Sequence, residues 1–168
     1  STATLNVFSS AIVNNICRGF TVNAPRGGGI YNAGGQALVE NSTISGNIVE
    51  SDSSNFGEAA GGFFHQFDTA YIKNSTIAFN EAKGASPKGG IVINTGAVIL
   101  ENSIVANNLV NGSASSFYSD VKGAFTSLGH NLRGHTQGGS GFVGSDITNT
   151  GAQLKPLSAG FFRAHALE

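Results

Sequence analysis

Three stretches of this chain lie over one another without a gap: Leu38-Val39-Glu40-Asn41-Ser42-Thr43-Ile44-Ser45-Gly46-Asn47, Tyr71-Ile72-Lys73-Asn74-Ser75-Thr76-Ile77-Ala78-Phe79-Asn80 and Ile99-Leu100-Glu101-Asn102-Ser103-Ile104-Val105-Ala106-Asn107-Asn108. A worn copy, Val7-Phe8-Ser9-Ser10-Ala11-Ile12-Val13-Asn14-Asn15-Ile16, precedes them, with Ser10 falling under Asn41. A second element keeps the same phase: Gly28-Gly29-Ile30-Tyr31-Asn32, Gly61-Gly62-Phe63-Phe64-His65 and Gly89-Gly90-Ile91-Val92-Ile93. Two separate elements with matching spacing mark a repeat architecture, and that constrains the fold more than any local propensity.

Helical solenoids also repeat at about this length, but they need long apolar stripes at i, i+3 and i+4. Here the apolar runs are short, rich in β-branched residues and broken by Gly and Asn, which is strand punctuation. The spacing predicts an all-β, right-handed parallel β-helix of about five coils, in which strands of successive coils stack at ~4.8 Å. The whole of 1–168 reads as one domain, with 119–168 forming a last coil and closing segment. The variable stretches, Ile48 to Ala60, Glu81 to Lys88 and Leu109 to Tyr118, fall at one point of the repeat. They predict an edge of loops with little to bury.

Alternation sorts the strand positions by face. Ala37/Ala70/Val98, Val39/Ile72/Leu100 and Ile44/Ile77/Val105 are expected inside. Asn41/Asn74/Asn102 are expected to form a turn ladder whose side-chain amides satisfy buried backbone groups, and Asn47/Asn80/Asn108 a second ladder. Leu38/Tyr71/Ile99 and Tyr31/Phe64/Val92 are expected to face out. Apolar columns in that position imply a cover or a surface that stacks on sugars or peptides.

Glu40/Lys73/Glu101 forms an outward column of alternating sign. Its simplest reading is a cross-coil ion ladder, which contributes little on an open surface. The alternative is catalysis: two coils separate Glu40 from Glu101, ~9.6 Å by strand spacing, near the ~6.5–9.5 Å between the carboxylates of inverting glycosidases. Lys73 between them opposes an acid role. His65 and Asp68, at turn positions equivalent to Asn32 and Gly35, offer an acid–base or ligand-binding pair beside them. No phosphate loop, nucleophile elbow or metal-binding pattern stands out, so neither cofactor nor metal is expected.

Charged residues make up 11% of the chain and the net charge is −1. No basic patch is available to neutralise a nucleic acid, and no apolar run reaches the ~20 residues of a membrane span. Cys17 is the single cysteine. An internal disulfide is therefore impossible, and a small buried apolar role is expected.

Gly27-Gly28-Gly29-Ile30-Tyr31-Asn32, the two Asn-Ser-Thr-Ile runs and Ser119-Asp120-Val121-Lys122-Gly123-Ala124-Phe125-Thr126-Ser127-Leu128-Gly129-His130-Asn131-Leu132-Arg133-Gly134 resemble bacterial surface proteins with pectate-lyase-like β-helices, of the choice-of-anchor group. Lys155-Pro156-Leu157 and Ala164-His165-Ala166-Leu167 resemble the two ends of that group's closing segment, whereas Ser158 to Phe162 departs from it. The resemblance implies a secreted or cell-surface location, usually within a longer chain. The clustered Asp and basic residues that pectate lyases and polygalacturonases use are not matched here.

Two functions are expected from these features. One is a recognition or scaffold module that binds glycan or protein, with Tyr31, Phe64 and Tyr71 as contact residues. The other is a small polysaccharide hydrolase or lyase with its groove over Glu40, Lys73 and Glu101. Ice binding is a weak third reading, because Thr43/Thr76/Ile104 is too short a ladder. The chain starts inside a coil, so either Ser1 to Asn6 folds across that end or two molecules meet there, and self-association is expected.

Overall fold

The computed structural model describes residues 3–19, 25–51, 57–114, 117, 119–135, 137–148, 152–155 and 157. Ala164 to Leu167 of the closing segment lie outside them. The described residues form strands and turns without a helix, and every strand pairing between coils is parallel. The chain is a parallel β-helix of about four turns.

Four stacks of strands make the main walls, and within the variable edge Ala59–Ala60 pairs with Pro87–Lys88 in a further two-stranded sheet. Thr4–Phe8, Gln36–Glu40, Thr69–Lys73, Ala97–Glu101 and Val121–Ser127 build the front wall. Ile30–Asn32, Phe63–His65 and Ile91–Ile93 build a side wall, which Val121–Ser127 joins to the front. The middle wall holds Ala11–Val13, Thr43–Ser45, Thr76–Ala78, Ile104–Ala106, Leu132–Arg133 and Ile147–Thr148. The rear wall holds Ile16–Gly19, Ile48–Ser51, Glu81–Lys83 and Leu109–Val110. The variable stretches therefore begin as strand rather than loop: Val49 and Ala82 pack inward there, and the variation is confined to the residues beyond these rear-wall strands.

Single left-handed residues turn the corners. Asn41, Asn74 and Asn102 (φ 51, 48 and 47°) link front to middle wall, and Gly46, Phe79 and Asn107 (φ 66, 57 and 59°) link middle to rear. Asn tolerates this conformation better than other non-glycine residues, which explains its repetition at the first corner. The Gly pairs answer a different need. A Cβ on Gly62 would sit 2.6 Å from the Gly90 carbonyl oxygen and 3.0 Å from Asn80 Nδ2, so the backbone there approaches the next coil too closely for any side chain.

The three inward columns lie in register and are fully buried. Ile30, Phe63, Ile91 and Val121 add a fourth from the side wall. Each Val, Leu, Ile or Phe among them contributes ~1.5–3 kcal/mol relative to exposure.

The polar ladders differ from expectation. Asn47, Asn80 and Asn108, not the corner asparagines, are wholly buried and bridge the coils. Each accepts the backbone N–H of its predecessor on Oδ1, and each Nδ2 donates both forward and back, as Asn80 does to Asn108 Oδ1 and to the Ile44 carbonyl, both at 2.9 Å. Asn41, Asn74 and Asn102 point outward because a left-handed corner turns their side chains to solvent; the bond from Asn102 Nδ2 to Asn74 Oδ1 (2.8 Å) is exposed. A further ladder runs through Ser10, Ser42, Ser75 and Ser103, each backbone N–H donating to the next hydroxyl at 3.1 Å, and then to Asn131 at 2.9 Å.

The first coil also sits one residue away from the sequence alignment. Val7 stacks on Val39 and Ser10 bonds Ser42, so Ser9 (φ 46°), not Ser10, occupies the corner of Asn41. A one-residue slip exchanges faces, and it places Val7 inside and Phe8 outside. Cys17 points inward above Val49 but is only half-buried, because no described coil covers it.

Candidate functional site

Three of the four outer faces are occupied or charged. Ala152 and Leu154 of the closing segment lie over Ala78, Ala106 and Leu132 on the middle wall. On the rear wall Arg18 pairs with Glu50 at 2.8 Å and Lys83 with Glu81 at 3.3 Å. The Arg18 bond holds the Glu50 carboxyl below its ordinary value.

Of the two alternatives for the side-wall column, a cover or a bare surface, the structure has the cover. Phe64 and Val92 are completely buried, packed with Ala60. The Arg26 guanidinium sits 5.3 Å from the centre of the Phe64 ring, and Lys122, next to Val92 in register, bonds Glu58 at 2.7 Å. Phe64 is therefore a packing residue and is out of reach of a ligand. Tyr31 remains exposed at the end of this column, its ring edge-on to Phe64 and its hydroxyl donating to Gln66 Oε1 at 3.0 Å.

His65 is also buried, with both ring nitrogens engaged inside the structure. Its ring stacks on Phe63. Asn32 Nδ2 lies 3.1 Å from Nδ1 and the Asp68 carbonyl oxygen 3.3 Å from Nε2, an arrangement suited to a neutral imidazole protonated on Nε2. Burial pushes its pKa down, against the pull of the Asp68 carbonyl and charge. The Asp68 carboxylate instead accepts the Gly35 backbone N–H at 2.6 Å across the neighbouring turn. The two residues are joined through a backbone carbonyl and are not an acid–base couple.

The front wall is left open, and parallel register makes its outer face a grid. The middle row is Asn6, Leu38, Tyr71, Ile99 and Thr126. The row on one side is Thr4, Gln36, Thr69 and Ala97; on the other it is Phe8, Glu40, Lys73 and Glu101. Leu38, Tyr71 and Ile99 are half-exposed, a continuous apolar strip across three coils. Lys73 Nζ pairs with Glu101 Oε2 at 3.2 Å, with Glu40 beside Lys73 on the other coil. Phe8, 49% exposed, closes the row next to Glu40. Its contribution was hidden by the displaced alignment of the first coil.

The expected columns Leu38/Tyr71/Ile99 and Glu40/Lys73/Glu101 thus meet on one face, whereas Tyr31 belongs to the adjoining wall and Phe64, His65 and Asp68 to packing and turns. Among the described residues no three His, Cys, Asp or Glu side chains cluster in a way that would hold a metal ion, and no helix is long and apolar enough to cross a membrane. No protein family, characterised protein or solved structure matches the chain.

Proposed function

We propose that this chain is an extracellular β-helix recognition module that binds an extended polysaccharide along the front wall, with Tyr71 as its central contact. The observation that carries the reading is the half-exposed strip Leu38–Tyr71–Ile99 running beside the Lys73–Glu101 pair and Glu40 on a regular five-strand face. A sugar ring has apolar C–H faces and a rim of hydroxyls. An aromatic platform flanked by fixed carboxylate and ammonium groups suits both. The resemblance to bacterial surface proteins supports a location outside the cell.

The hydrolase or lyase alternative has less support. Glu101 is 41% exposed and engaged with Lys73, so nothing there excludes water or keeps a proton available for a leaving group.

Affinity electrophoresis and calorimetry against a panel of acidic and neutral polysaccharides test the reading. One or more should bind the wild-type chain, and Tyr71→Ala should weaken binding by roughly tenfold, the equivalent of ~1.4 kcal/mol. Tyr31→Ala should change little. Failure of every polysaccharide to bind, or binding unaffected by Tyr71→Ala, would overturn it.

A further inference from the structure

The front-wall face has two unlike flanks. Leu38, Tyr71 and Ile99 form its middle row, one per coil in unbroken register. On one flank stand Gln36, Thr69 and Ala97, which carry no charge. On the other stand Glu40, Lys73 and Glu101.

These rows set the direction in which an extended sugar chain can lie. Along a strand, as in Thr69–Tyr71–Lys73, a single apolar side chain is bounded by polar ones. Across the coils the apolar side chains follow one another at ~4.8 Å, close to the advance of one pyranose in an extended chain. A chain laid along the solenoid axis therefore stacks successive rings on Leu38, Tyr71 and Ile99. One edge of that chain then runs beside the charged row.

Glu40 and Glu101 are two coils apart, ~9.6 Å by strand spacing. In a two-fold β-1,4-linked chain each ring is turned over relative to the last, so a given substituent returns to the same edge at every second ring. That edge presents like groups at the spacing of the two carboxylates. The balance of charge decides which groups they are. Lys73, the only cation on the three strands, pairs with Glu101 at 3.2 Å, while Glu40 makes no ion pair among the described residues. Two carboxylates against one ammonium leave the row with one negative charge in excess. A uronate or sulfate at this edge would confront carboxylate with no free cation to receive it. An ammonium would meet a charged acceptor instead.

Resting on the assignment of the front wall to polysaccharide binding, we propose that its ligand is an extended β-linked polysaccharide bearing primary amines. The chain lies along the solenoid axis with its ammonium groups against Glu40 and, two rings on, Glu101.

Calorimetry of the full chain with β-1,4-linked hexamers of glucosamine, N-acetylglucosamine and mannuronate tests this. At about pH 6, where such amines are protonated, the glucosamine hexamer should bind about fivefold more tightly than its N-acetylated form. The mannuronate hexamer should bind most weakly, and the preference for the amine should shrink as salt is added. Glu40→Gln should bring the ratio of amine to acetylated affinities close to one. Lys73→Gln, which leaves Glu101 without its partner, should raise that ratio, a gain that a damaged fold would not produce. Circular dichroism melting verifies that both variants are folded. Equal affinities for the amine and acetylated hexamers, a preference untouched by Glu40→Gln, or tightest binding of mannuronate would overturn the proposal. If the acetylated hexamer still binds and loses affinity in Tyr71→Ala, polysaccharide binding at the front wall survives that result. Binding of none of the three would overturn both.

Discussion

Asn108 gives both its backbone N–H and its side-chain Nδ2 to a single carboxylate oxygen of Asp120, at 3.0 and 2.9 Å. The other oxygen accepts the His135 backbone N–H. Asp120 thus replaces the amide of a further coil with an acceptor-only group at the point where the ladder needs nothing but acceptors. Asp146 does the same for the second ladder and binds Ser127 as well. These two carboxylates define where the two ladders stop.

Exchanging Asp120 for Asn turns one oxygen into a donor that must face an N–H. Asp120→Asn should cost ~1–3 kcal/mol, the penalty of a buried group left without its partner. Burial pushes the Asp120 carboxyl above its ordinary value, although the bonds from Asn108 and His135 pull the other way. The folded state therefore holds this proton more tightly than the unfolded chain. The associated stability is fully present below the ordinary 3.8 and is lost as pH rises through the raised folded value. The gap in urea midpoint between wild type and Asp120→Asn should accordingly widen on acidification toward pH 3. A gap independent of pH would show that Asp120 does not titrate in this way.

Much of the fold was legible because repetition and alternation act together. Val39, Ile72 and Leu100 recur at one phase and flank polar neighbours, so both their stacking and their inward direction can be read from the sequence. Asn41 and Asn47 recur just as faithfully, yet only one of them is buried. The difference arises from the corner geometry, since a left-handed residue swings its side chain out, and neither periodicity nor composition reports φ. Ser42, Ser75 and Ser103 were hidden for a related reason: beside a corner they look like ordinary turn residues. Phe64 was misplaced because its cover consists of Ala60, Arg26 and the Glu58–Lys122 pair, drawn from the least repetitive parts of the chain. The front face was legible in its columns, Leu38/Tyr71/Ile99 and Glu40/Lys73/Glu101, but not in its extent, because a one-residue slip concealed Phe8.

The exchange of roles between the asparagine ladders makes a sharp contrast. Asn80→Ala deprives the Asn47 backbone N–H of its acceptor and the Ile44 carbonyl of a donor, both deep in the structure. A buried N–H left without its acceptor, with the second bond lost as well, should cost ~1–3 kcal/mol. Asn74→Gly removes an exposed bond and installs the residue best suited to φ 48°, so its effect should stay within about 0.5 kcal/mol. Chemical denaturation of the two variants beside the wild type measures both. Equal losses would contradict the assignment of the buried ladder to Asn47, Asn80 and Asn108.

His65 adds a pH dependence of opposite sign to that of Asp120. Burial lowers its pKa from the ordinary 6.5, with the Asp68 carbonyl and charge offsetting part of the effect. Below 6.5 the unfolded chain takes up a proton that the folded chain resists, so the stability this group contributes is complete above 6.5 and declines as pH falls through the depressed folded value. Each unit of depression corresponds to ~1.4 kcal/mol. His65→Gln removes the titrating ring and leaves a side chain with an acceptor for Asn32 Nδ2. Urea midpoints taken between pH 7.5 and 4.5 should therefore fall more steeply for the wild type than for His65→Gln. Parallel curves would mean that the imidazole protonates as readily in the folded protein as in the unfolded chain, and that its contacts with Asn32 and Asp68 do not hold it neutral.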